Sequence, residues 1–469
     1  MADLTITETA LGDGRVRYEL GRPNWQARRI PDIRSPGATV QIADDRLIDI
    51  VVLGDGYTDA ADFRAALTTW LQELYAIEVY ERFAGCLRIR ALYTPSSEAA
   101  SASRGSYYGC PIATDGGIDQ KGKWWEASGA RNDAFREAFW ASVDTFDDLH
   151  LRRYPDDLTT NQELSSGELL VIDQDELRGL YRNLVVSMLV QGGPSGFNGL
   201  VPRPAPDQDH YVKVAFGAYE IHELSHALGM LHDEYIHHRT EEVKYRDPVI
   251  PSVFSLSNVR FSDQVDQVPW LHLSPWGLER RSAGGQSPSP VVGWMWLGGG
   301  IGLLKPGSRE IGAWHSEYRC LMNGGHDNYL FTQLDSDPTN LGDGTIKGAD
   351  LRDKTRLCLW CQELVTIRLL EKTDQLIEPG DPADITGQGQ LWYTRWVQEL
   401  RANYLELYDV RGQIAELEDY YAKFTPGPAG EPLWQSDLYS VPKAAPAAAP
   451  PPAAPLADDE LLLVTIAAG

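Results

Sequence analysis

Positive charge is scarce in this chain. Its 42 lysines and arginines face 67 acidic residues, for a formal net charge of −25 at pH 7. No basic run interrupts that deficit. An acidic surface of this kind repels nucleic acid and anionic membrane, so neither is expected as a partner. Long apolar runs are also missing. No stretch approaches the roughly 20 uninterrupted apolar residues of a transmembrane helix, and no membrane span is expected. The opening residues, Met1-Ala2-Asp3-Leu4-Thr5, lack the basic and apolar regions of a secretory leader. Action outside the cell would then require non-classical export or a leader already removed; otherwise the chain is cytoplasmic. Cysteine is sparse as well: Cys86, Cys110, Cys320, Cys358 and Cys361. An odd number leaves at least one of them outside any intrachain disulfide.

What is present argues for a folded protein. Hydrophobic residues make up 43% of 469 positions, with 14 tryptophans, and a chain of this length exceeds one ordinary core. Residues 1–45 alternate polar and apolar, the period of a short β element. Leu47 to Leu53 is a β-branched apolar run, read as a buried strand. Gly54-Asp55-Gly56 follows as a turn, since the Gly-Lys-Ser/Thr ending of a phosphate loop is missing. A helix is expected to begin at Thr58 or Asp59 and run over 60–83, with Phe63, Leu67, Leu71, Leu74 and Tyr75 on one side. Leu87–Tyr93, Leu169–Ile172 and Leu184–Val190 read as strands, and 131–142 and 356–371 as helices. The Gly-rich run after Val190 reads either as the rim of a peptide-binding edge strand or as an ordinary surface loop.

The most informative stretch is His222-Glu223-Leu224-Ser225-His226-Ala227-Leu228-Gly229-Met230-Leu231-His232. Val214–Ile221 ahead of it is apolar enough to start a buried helix. Two histidines four apart lie on one helical face and can share a tetrahedral zinc ion. Glu223 beside the first can take a proton from a metal-bound water. Gly229 tolerates positive φ and can end the helix, so that His232 is delivered as the third ligand. Against this stands a solvated face of an amphipathic helix, where His and Glu are common. Five specified positions at the required spacing, on an otherwise apolar helix, favour the metal.

Other signals are weaker. Cys358-Leu359-Trp360-Cys361 is a lone C-x-x-C, read as structural, with Cys320 a candidate partner; buried free thiols are the competing reading. Asp343–Asp350 resembles the second half of a calcium loop, but the register puts Leu341 where an oxygen ligand belongs. A solvated acidic loop is the better reading, and calcium is not expected. Apolar residues spaced three and four apart over 391–424 describe a long helix that needs a partner surface. An Ala/Pro linker and an apolar end follow, and a protein partner could dock on the helix or on that end.

The H-E-x-x-H-x-x-G-x-x-H signature with a later methionine turn is the metzincin pattern, and Met322 in Cys320-Leu321-Met322-Asn323 is the candidate methionine. Ile50–Tyr57, the zinc helix running into Asp233-Glu234-Tyr235, Tyr318–Met322 and Cys358-x-x-Cys361 together resemble the IgA-specific metallo-endopeptidase family of bacteria. The resemblance spans about residues 46–372. It implies an α/β (α+β) fold, metzincin-like, with a twisted mixed sheet and the active-site helix above a mostly irregular or helical lower subdomain. It also implies one zinc ion and a polypeptide substrate. In the family pattern the position of His232 is often a small non-ligand residue before Asp-Glu-Tyr, which makes Asp233 the alternative third ligand. Tyr318 is a candidate substrate contact, although a structural tyrosine is the stronger reading. Gly324 stands where some metzincins carry a tyrosine two residues past the methionine.

The expected organisation is therefore a β element over 1–45, a peptidase domain over 46–372, a long helix over 387–425, a linker over 443–456 and an apolar segment over 457–469. The expected activity is zinc-dependent endopeptidase, with Glu223 as general base. The competing function is a retired metzincin scaffold serving binding or assembly, and a non-peptidase zinc hydrolase is a third.

Overall fold

The computed structural model describes residues 4–22, 25, 27–32, 37–99, 106–109, 130–154, 162–163, 169–170, 179–191, 197–204, 209–217, 220–232, 234, 258–259, 270, 295–298, 301–303, 315–317, 320–322 and 356–375. Asp233, Tyr318, the acidic stretch 339–350, the helix expected over 387–425, and the linker and C-terminal segment expected after it lie outside the described residues.

The described part is mixed α/β, built on one seven-stranded mixed sheet. Its strands are β1 (Thr5–Ala10), β2 (Val16–Gly21), β5 (Ile48–Asp55), β6 (Leu87–Tyr93), β9 (Leu180–Val190), β10 (Phe197–Pro202) and β11 (Tyr211–Phe216). Two-residue and three-residue ribbons, β3 (Arg29–Pro31) with β4 (Thr39–Gln41) and β7 (Gln162–Glu163) with β8 (Leu169–Leu170), lie outside it, as does β12 (Met295–Gly298) with β13 (Ile301–Leu303). The helices are α1 (Ala60–Ala76), α2 (Glu78–Arg82), α3 (Ala130–Val143), α4 (Glu220–Gly229) and α5 (Leu359–Lys372).

The sheet order is β1-β2-β6-β5-β9-β11-β10. The four central strands β6, β5, β9 and β11 are parallel, and the outer pairings are antiparallel. Parallel strands need both faces covered, which explains why β5 is apolar almost without interruption and buried at every position. Alternate residues serve two cores. Ile48, Ile50 and Val52 pack with α1, α4 and α5, while Val51 and Leu53 pack with Phe135, Phe139, Trp140 and Val143 of α3. The N-terminal hairpin β1–β2 extends this same sheet through the β2–β6 pairing.

The turn after β5 is shaped by two glycines for different reasons. A Cβ on Gly54 would meet Phe63 Cδ2 at 2.5 Å, and Gly56 sits at φ 77°. Asp59 then caps α1 by accepting from the Ala61 amide at 2.6 Å, as the sequence suggested. The helix expected over 60–83 is interrupted, because Ile77 takes extended backbone (φ −89°, ψ 115°) between α1 and α2.

Two sequence expectations need correction here. Val214–Phe216 does not start the helix that carries His222 and His226. Tyr211–Phe216 is a strand with the β-branched Val212 and Val214 on one face, and Gly217 at φ 104° breaks it before α4 begins at Glu220. Leu184–Val190 belongs to a central strand, between β5 and β11, and not to an edge. The edge beside α4 is the next strand, β10.

Candidate metal centres

α4 is buried along its whole described length, packed against β11, β9, β10 and α5. Ile221, Leu224, Ala227 and Leu228 join the core beneath the sheet. Ser225 donates to the Ile221 carbonyl at 2.7 Å and is also bonded to the Tyr80 hydroxyl at 2.8 Å, which ties the helix to α2. A helix buried on all sides that still carries two histidines and a glutamate must give those groups partners.

The histidines receive them in a telling pattern. His222 Nδ1 lies 2.8 Å from the Leu321 carbonyl oxygen, and His226 Nδ1 lies 2.6 Å from the Leu231 carbonyl oxygen. A carbonyl only accepts, so both Nδ1 atoms carry the proton, and neutral rings then present Nε2 as a lone pair. The two Nε2 atoms face each other at 3.1 Å. Two imidazoles on a tetrahedral zinc, with Zn–N near 2.0–2.1 Å, set their nitrogens about 3.3 Å apart. The donor set therefore fits a single zinc ion. Glu223 Oε2 stands 3.9 Å from His226 Nε2, and His222, Glu223 and His226 form one buried group able to hold a metal.

The backbone leaving α4 does what the sequence assigned to Gly229, but by another residue. The left-handed position is Met230, at φ 53°. Gly229 is needed for space, since a Cβ there would meet Val365 Cγ2 of α5 at 2.7 Å. The turn at Met230 brings the Leu231 carbonyl back over His226. His232 follows with its side chain exposed and outside the His222–Glu223–His226 group. Its backbone is clamped by Asn258, whose amide accepts from His232 N and donates to His232 O, both at 2.7 Å.

Met322 is fully buried, in a turn directly against the first histidine. Its neighbour Leu321 supplies the carbonyl that orients His222, and Met322 O accepts from Glu234 N at 2.7 Å. Met322 itself belongs to the same buried cluster as Ile221, Leu224 and Leu228 of α4.

A second buried group consists of Glu234, Cys320, Cys358 and Cys361, whose ligand atoms all lie within 4.8 Å of one another. The cysteines are free thiols. Burial pushes the Glu234 carboxyl well above the usual carboxylate range, and Cys358 adds to the effect. Burial also opposes ionisation of Cys320, but hydrogen bonding from Cys358 and Cys361 outweighs it and brings Cys320 down to about 7. The sequence pointed to Cys320 as a partner of the C-x-x-C pair. It gave no sign of Glu234, whose only signal was its place in the Asp-Glu-Tyr run after the zinc helix.

Among the described residues, no helix is long and apolar enough to cross a membrane. No family model matches this chain, and no curated protein matches it.

Proposed function

We propose that this chain is a zinc-dependent endopeptidase of metzincin-like design, akin to the IgA-specific metallo-endopeptidases. The observation that carries the reading is the facing Nε2 pair of His222 and His226, with both Nδ1 protons spent on carbonyls and Glu223 alongside. A buried methionine turn against the first histidine and a mixed sheet beside the helix support the same reading.

A zinc ion held there supplies an activated water and an electrophile for the scissile carbonyl. The residues of the chain do the rest. Glu223 accepts the proton of the attacking water on its carboxylate and delivers it to the leaving nitrogen. Leu321 and Leu231 hold the two imidazoles in one tautomer through their carbonyls, which fixes ring orientation and raises ligand basicity. β10, the edge strand packed against α4, offers an antiparallel backbone for an extended polypeptide to pair with.

The third protein ligand comes from the adjacent pair His232 and Asp233. Metzincin spacing names the first, and the exposure of His232 favours the second. The test combines chelation with substitution. Phenanthroline should abolish cleavage of an unfolded polypeptide, and added zinc should restore it. Asp233→Ala should lose at least tenfold more affinity for the histidine-bound zinc than His232→Ala, since even losing an outer-shell partner of a ligand costs about 10–100-fold. Cleavage that persists undiminished after the chain is stripped of metal would refute the proposal.

A further inference from the structure

We propose that Glu234, Cys320, Cys358 and Cys361 form a second, closed metal centre that takes a structural zinc ion, distinct from the histidine site. All four side chains are fully buried. Their ligand atoms converge within 4.8 Å, and Glu234 Oε1 lies 3.2 Å from Cys361 Sγ and 3.8 Å from Cys358 Sγ. Tetrahedral zinc, with Zn–S near 2.3 Å and Zn–O near 2.0–2.2 Å, sets sulfur and oxygen about 3.5 Å apart, between those two values. Four protein donors fill the coordination shell and leave no open position for water, which is the mark of a structural site.

Two independent features point to an ion at the centre. The first is the backbone. The amides of Met322 and Cys358 point at Cys320 Sγ at 3.4 and 3.2 Å, and the amide of Cys361 points at Cys358 Sγ at 3.4 Å. Such donors stabilise thiolates, the form that binds metal. The second is the carboxylate. Glu234 Oε1 accepts from the Asn258 amide at 3.1 Å, while Oε2 is buried with no hydrogen-bond partner among the described residues. A buried carboxylate with an unsatisfied oxygen is costly unless a cation neutralises it.

The competing chemistry of a C-x-x-C pair at a helix N-terminus is thiol–disulfide exchange. Exchange needs an attacking thiolate that a partner can reach, and here neither sulfur is exposed. A disulfide among three cysteines would also strand the third thiol and the carboxylate.

The ion would join three separate segments: the chain leaving α4, the methionine turn and the start of α5. Cys320 is next to Leu321, whose carbonyl orients His222, and Glu234 follows Asp233 directly. The second centre therefore positions the first without touching substrate.

The experiment uses the full chain purified without chelator. Metal analysis should find two zinc ions per chain. His222→Ala/His226→Ala should keep one, and zinc X-ray absorption of that variant should show a sulfur shell near 2.3 Å. That result would stand even if the peptidase reading failed. In the folded chain Ellman's reagent should find the three clustered thiols slow until a chelator is added, and in denaturant with chelator Cys320, Cys358 and Cys361 should all titrate as thiols. Cys358→Ser/Cys361→Ser should bind at most one zinc per chain, and the spectrum of His222→Ala/His226→Ala decides even if this variant does not fold. A missing sulfur shell, thiols that react at one rate with or without chelator, or two thiols lost to a disulfide would each overturn the proposal.

Discussion

At the scale of single residues, the site depends on contacts that leave no slack. Gly229 shows this best. The sequence explains its presence by backbone freedom, yet the left-handed residue is Met230, and Gly229 is there because α5 crosses too close for a side chain. Gly229→Ala should therefore destabilise the protein by overpacking, by about 1–3 kcal/mol. Combining it with Val365→Ala should restore part of the loss, because the clash is with Val365 Cγ2 at 2.7 Å. Urea midpoints of the three variants check this. A neutral Gly229→Ala would mean the helices are not so closely packed. The grouping of His222, Glu223 and His226 was legible at this scale, since they are close in sequence and helix geometry brings them together. His232 was less legible, because spacing in sequence says nothing about which way a side chain faces after the helix ends. Glu234's place beside the cysteines was invisible: Cys358 and Cys361 lie 124 and 127 residues away in the chain.

At the scale of elements, strands and helices with strong local patterns were readable and their pairings were not. Leu87–Tyr93 stands as the sequence drew it, and α3 differs from its expected span by one residue at each end. The run before α4 was misread because strand and buried-helix start are both apolar; Gly217 and the alternation of Val212 and Val214 were the available cues. The fact that β1 and β2 extend the main sheet depends on non-local pairing, which composition does not carry. One pairing holds a buried charge. Asp49 on β5 bonds Arg88 at 2.7 Å and Arg90 at 2.8 Å, both from β6. Asp49→Ala should cost about 3 kcal/mol, because it leaves the nearly buried Arg90 with less than its share of negative charge. Thermal unfolding at fixed pH measures it, and a loss below about 1 kcal/mol, the scale of an exposed pair, would contradict it.

At the scale of the whole molecule, the two cores on either side of the sheet have different duties. One carries α3, and the other carries α1, α2, α4 and α5 with both candidate metal centres. Lys372 at the end of α5 is also buried, its Nζ donating to the Arg182 carbonyl at 2.9 Å. Burial lowers the Lys372 ammonium from 10.5 to about 7. Between these values the unfolded chain binds more protons than the folded one, so this lysine makes stability rise with pH from about 7 to about 10.5. Lys372→Met should flatten that rise, as read from denaturant midpoints across the window; an unchanged slope would show that the lysine stays charged in the fold.

The central claim is that Glu223 acts on a water held at the His222–His226 pair. Its most direct measurement is hydrolysis of an unfolded polypeptide by wild type and by Glu223→Ala, with zinc measured in both. The account predicts equal zinc in the two proteins, cleavage by the wild type, and a rate in the variant lower by about 10²–10⁴, the usual contribution of a general base. Equal cleavage by both, or zinc-loaded wild type that cleaves nothing, would contradict it.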